Sequence, residues 1–137
     1  MKLMVCTDGT KPSYKAVEVA AQYADITGSQ LTIMTVIESD VSRDEPAYDE
    51  YGKKQGQANA ILKGASEIAS EFAPELEFTT RVAVGPVSSE IVRIAEDEGF
   101  NAIFVGATGS NRIKRMLLGG VTDDIIHYAH CPVTVVR

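Results

Sequence analysis

The chain has 137 residues, 45% hydrophobic and 23% charged, with a formal net charge of −6. That length fits one domain, 1–137, able to bury roughly 70% of its unfolded surface, and the acidic balance argues against a nucleic-acid partner, which calls for an excess of Lys and Arg. No apolar run approaches the ~20 residues of a membrane span, and Met1–Cys6 lacks the apolar stretch and cleavage site of a signal peptide, so the expectation is a cytoplasmic protein with no membrane partner.

Two hydrophobic periods alternate along the chain. Lys2 to Thr7 reads as a strand ended by the turn residues Asp8-Gly9. Thr10 caps a helix that tolerates Pro12 in its first turn. Ala16, Val17, Ala20, Ala21 and Ala24 recur at helical spacing until Gly28. Leu31 to Ile37 is a second strand, and Glu38 to Pro46 reads as an exposed acidic loop. A long helix over about 47–72 carries the stripe Ala58, Ile61, Leu62, Ala65, Ile68, Ala69 and Phe72. Gly52, Gly56 and Gly64 weaken it. Leu76 to Val84 is a third strand, and Gly85-Pro86 opens a helix with Val87, Ile91, Ile94 and Ala95, closed by Gly99. Ala102 to Val105 is a fourth strand, Val121 to Ala129 a fourth helix, and Val133 to Val136 a fifth strand. Such strand–helix alternation, with strands apolar throughout, implies a parallel sheet with helices on both faces.

The most informative segment runs from Gly106 to Thr122, between a buried strand and a helix. Ligands of open α/β sheets bind at that edge. Glycines there let amide N–H groups form an anion-binding nest, and the helix start adds unpaired N–H groups and a positive dipole end. Arg112, Lys114 and Arg115 add cations that suit a polyanion, or else make a solvated loop. Gly106 could also be only a strand-ending turn, and Asp8 only a turn residue. His127 and His130 sit three residues apart, but no third ligand has matching spacing for a metal. His130 is placed to favour a helix C-terminus, and Ser88 and Ser89 to cap the third helix. Cys6 and Cys131 form no CxxC motif, and Cys6 reads as a buried thiol. No Gly-x-Ser-x-Gly elbow, HExxH or Walker Gly-Lys-Ser/Thr is present, so no catalytic residue is assignable and the chain does not read as an enzyme.

Gly106, Gly109 and Gly119 stand in register with the G-x2-G-x9-G-[S/T] phosphate motif of nucleotide-binding universal stress proteins, and the chain resembles that family. Leu117-Leu118-Gly119, Val121-Thr122 and Cys131-Pro132-Val133-Thr134-Val135-Val136 are similar to it too. Thr7 to Ala16 resembles its D-G-S-x-x-S-x-x-A opening. The resemblance covers the whole chain, least strongly from Glu38 to Gly56. It implies an adenine nucleotide alpha hydrolase-like fold: an open five-stranded parallel sheet ordered 3-2-1-4-5. It also implies site positions. Asp8 matches the ribose or base side, Thr7 before it is a further nucleotide-binding position, and Val36 matches the position whose backbone meets adenine. Val105, Gly106, Gly109, Gly119, Gly120, Val121 and Thr122 match positions around ribose and phosphates, and Arg112 stands in the same loop.

One departure is chemical. The family's Ser or Thr after the last glycine is Gly120 here, which removes a hydroxyl bond to phosphate worth roughly 1.5–3 kcal/mol. Thr122 or Ser110 is a candidate replacement donor. The resemblance implies an ATP-binding stress-response protein, with or without Mg2+, acting as a nucleotide-dependent homodimeric switch on an unknown protein partner. Slow ATP hydrolysis stays open. The alternative is a member of the same fold that has lost nucleotide and acts only through protein contacts. An adenylating enzyme would need a Ser-Gly-Gly-x-Asp-Ser signature, which Thr7-Asp8-Gly9-Thr10 is not. The homodimer is expected to form through the C-terminal strand, an apolar sheet edge with unpaired backbone groups.

Overall fold

The structure, a computed structural model, describes residues 1–39, 48–107 and 120–137. The chain alternates β1 (Lys2–Cys6), α1 (Lys11–Thr27), β2 (Gln30–Glu38), α2 (Tyr48–Phe72), β3 (Phe78–Gly85), α3 (Val87–Asp97), β4 (Ala102–Gly106), α4 (Val121–Tyr128) and β5 (Val133–Val136). The five strands form one sheet in the order β3-β2-β1-β4-β5, and every neighbouring pair is parallel. This is the expected topology.

The strands are apolar on both sides because both faces are covered. On one face Leu3, Val5, Leu31, Ile33, Phe104 and Val136 pack with the small residues of α1 and α2. The opposite face joins Met4, Met34, Ile103 and Val105 to Ile91, Ile94 and Ala95 of α3 and Ile125 of α4. Helix α1 begins where Thr10 accepts the Ser13 N–H at 3.4 Å, and its stripe of alanines lets it lie close to the sheet. The α2 stripe runs Ala58, Leu62, Ala65, Ala69 and Ala73. The 3.6-residue period carries the seam from Ala69 to Ala73, which leaves Phe72, expected inside, exposed.

Two expected terminus roles are not met. The N-cap of α3 is Pro86, with no side-chain cap bond. Ser88 and Ser89, two and three residues past that cap, already lie inside the first turn. Helix α4 ends at Tyr128 with Ala129 as its C-cap, so His130 lies beyond the helix. It reaches across to Glu96 of α3 at 3.3 Å, while His127 packs edge-on against Tyr128.

Candidate functional site

The chain reverses its winding between β1 and β4. From β1 it passes to α1 on one face, and the helix reached after β4, α4, packs on the other. A crevice must therefore open above the carboxyl ends of these two strands.

The β1 wall is a hydroxyl network. Ser13 Oγ donates to the Thr10 carbonyl at 2.9 Å. A hydroxyl has one proton, so in the 2.8 Å contact between Thr7 Oγ1 and Ser13 Oγ the donor is Thr7. Those oxygens accept the Gly9 and Asp8 N–H groups at 3.2 and 3.3 Å. Thr7 is buried and its proton is spent inside the turn. Asp8 is exposed, and Oδ1 accepts both the N–H and the hydroxyl of Thr10, at 3.1 and 2.6 Å. This is an Asx turn. It fixes the carboxylate through one oxygen, and Oδ2 makes no hydrogen bond among the described residues.

Gly106 forms the opposite wall as the last residue of β4. A Cβ there would stand 2.8 Å from the Pro12 carbonyl carbon and from the Ser13 nitrogen. The end of β4 thus rests on the backbone of α1's first turn, and the crevice floor closes because residue 106 has no side chain. Thr122, the second residue of α4, is buried and donates its hydroxyl to the Gly106 carbonyl at 2.9 Å. That proton is given to the backbone here, so as the replacement phosphate donor that the sequence suggested Thr122 would first have to release Gly106. Gly120 is the N-cap of α4 and brings no side-chain cap bond.

The structure therefore gathers Thr7, Asp8, Gly106, Gly120, Val121 and Thr122 at one edge of the sheet. The Val105 side chain is buried in the α3/α4 core, leaving only its backbone for a ligand. Val36 stands where β2 overhangs β1, beyond the last β1 partner Met34, and its side chain packs on the α3 side. Gly109, Ser110, Arg112, Lys114, Arg115 and Gly119 lie outside the described residues. Among the described residues no cluster of three or more His, Cys, Asp or Glu side chains could hold a metal ion. No described helix is long and apolar enough to cross a membrane. Burial pushes the Cys6 thiol up to about 12, so it is inert at neutral pH.

Residue-by-residue reading missed the contacts of Ser13, Pro12 and Tyr14. Only the turn contact of Ser13 left a signal: a Ser three residues after the capping Thr10 is positioned to close back on the turn.

The model of the universal stress protein family matches residues 1–137. The chain belongs to the universal stress protein family. A universal stress protein of Methanocaldococcus jannaschii is 30% identical over 99% of this chain and 81% of its own length. Among solved structures, a universal stress protein in complex with cAMP aligns over 100% of this chain and 97% of its own, with TM-score 0.80 and 28% identity. The Archaeoglobus fulgidus universal stress protein in complex with dAMP shares the fold at TM-score 0.77 and 19% identity, over 100% and 98% of the two chains.

Proposed function

We propose that this universal stress protein binds an adenine nucleotide, ATP foremost, in the crevice between β1 and β4, and acts as a nucleotide-dependent switch rather than as a catalyst. The observation that carries the reading is the convergence of two complementary walls at the switch point. One wall presents the Asp8 carboxylate, which suits ribose or base hydroxyl and amine donors. The other presents the backbone of Gly106 and the start of α4, where no side chain caps the N–H groups, which suits phosphate. Arg112 and the glycines Gly109 and Gly119 would complete the phosphate side. The structural relatives named for their cAMP and dAMP complexes support an adenine ligand.

The switch would work as a homodimer joined through β5, an edge strand of the sheet. Ile103 and Ala107 donate their N–H groups to the carbonyls of Pro132 and Val136, at 3.0 and 2.8 Å. Even-numbered residues of β5 thus face β4, and the backbone groups of Val133 and Val135 turn to the outer edge. The exposed side chains of Ile126, Tyr128 and Val135 supply apolar surface near that edge.

A second reading, protein contacts without nucleotide, is favoured by the absence of a hydroxyl at Gly120 and the committed proton of Thr122. Calorimetric titration of the folded protein with ATP and magnesium, then with ADP, AMP and cAMP, separates the two. Saturable binding at or below millimolar ATP supports the first. No heat, and no displacement of a fluorescent ATP analogue, supports the second.

A further inference from the structure

Tyr14 lies in the first turns of α1, half-buried, and its hydroxyl donates to the Ile61 carbonyl in the middle of α2 at 3.1 Å. The hydroxyl sits over Gly64, where a Cβ would come within 2.6 Å of the phenol oxygen and 3.2 Å of Cζ. Gly64 is thus a notch cut for this ring. Gly52 and Gly56, in the same helix, have nothing within 4 Å of such a Cβ. The same turn of α2 also reaches the other end of the segment. Ile61 Cγ1 would meet a Cβ on Gly9 at 3.0 Å, and Gly9 has a φ of 83°. One turn of α2, Ile61 to Gly64, therefore closes on both Gly9 and Tyr14, on either side of the cap that holds Asp8. Burial raises the Tyr14 phenol above its ordinary range, helped by the Glu67 and then the Asp8 carboxylate. It stays a protonated donor at neutral pH.

We propose that Tyr14 is a positioning residue: seated in the Gly64 notch, it holds α2 against the β1–α1 turn and so sets the position of Asp8 for the ligand. The consequence for affinity rests on the nucleotide reading above. Tyr14→Phe removes the hydroxyl and keeps the ring. Gly64→Ala fills the notch and, by helix propensity, should not weaken α2 itself.

The test measures two things in wild type, both variants and the double variant, with the global unfolding midpoint as a check on folding. The first is amide hydrogen exchange at Gly9 and Thr10 in nucleotide-free protein. The second is the ATP dissociation constant. Loss of one net hydrogen bond predicts about fivefold faster local exchange and about fivefold weaker ATP binding in each single variant. The double variant should be no worse than the poorer single, because both changes break one contact. Unchanged exchange at Gly9 and Thr10 would overturn the clasp. Faster exchange with unchanged ATP affinity would overturn its positioning of Asp8. A wild type that takes up no ATP overturns the functional reading instead, and the clasp is then upheld or overturned by exchange alone.

Discussion

Gly106 answers to packing before it answers to any ligand. Its missing side chain lets the end of β4 touch the backbone of Pro12 and Ser13, and backbone cannot step aside as a flexible side-chain end can. Gly106→Ala should therefore cost about 1–3 kcal/mol of stability, as overpacking does. Urea unfolding checks this, and a variant as stable as the wild type would contradict the close approach. Gly120 is different. Its extended backbone (φ −150°, ψ −178°) is one a serine adopts readily, and it caps α4 with no side chain. Gly120→Ser should add a few tenths of a kcal/mol through the cap, because the serine oxygen accepts a helix N–H. Its proton remains free for phosphate, so ATP should bind tighter by up to about two decades. Thermal unfolding and ATP titration read the two effects apart. A raised midpoint with unchanged affinity would mean that phosphate does not reach this cap. The sequence displays hydroxyls at Thr7, Ser13 and Thr122, but not where their protons go. That is decided by which acceptor lies nearest after folding, a hydroxyl for Thr7 and a backbone carbonyl for Ser13 and Thr122.

Elements were legible where local rules act alone. The strands follow from apolar runs, and α1 follows from Thr10, Pro12 and Gly28. The expected role of Ser88 and Ser89 failed because a helix start depends on where the chain can leave β3, and it leaves at Pro86. Gly64 looked like a defect in α2 because its reason, Tyr14, lies far away in sequence. Strand β5 carries the clearest prediction at this scale. The N–H of Val135 turns outward, so Val135→Pro removes an edge donor while sparing the ladder to β4. The variant should fold and shift from dimer toward monomer. Light scattering behind size exclusion, at equal concentrations, checks it. A variant that stays a well-folded dimer, or a wild type that is monomeric at tens of micromolar, would place the interface elsewhere.

At the scale of the whole molecule, alternating strand and helix patterns made the parallel sheet legible, and the family resemblance supplied its order. The edge carrying the site follows from that order alone. What the pattern could not show is that Pro12, Ser13 and Thr122 all meet Gly106 at its floor, since those contacts join residues up to 94 positions apart only after both helices dock. The sheet also has a groove at its opposite edge, of about 640 Å³, lined by Lys2, Gln30, Phe78, Arg81, Glu98 and Phe100. Within it Arg81 pairs with Glu98, and Lys2 lies 4.4 Å over the Phe100 ring. The two edges give the proposed nucleotide site a direct test, a titration of isotope-labelled protein with ATP followed by backbone amide chemical shifts. Binding in the crevice should give saturable shifts concentrated in Thr7–Ser13, Gly106–Ala107 and Gly120–Thr122, with the opposite edge silent. No shifts at millimolar ATP, or shifts centred on Lys2, Gln30 and Phe78, would contradict it.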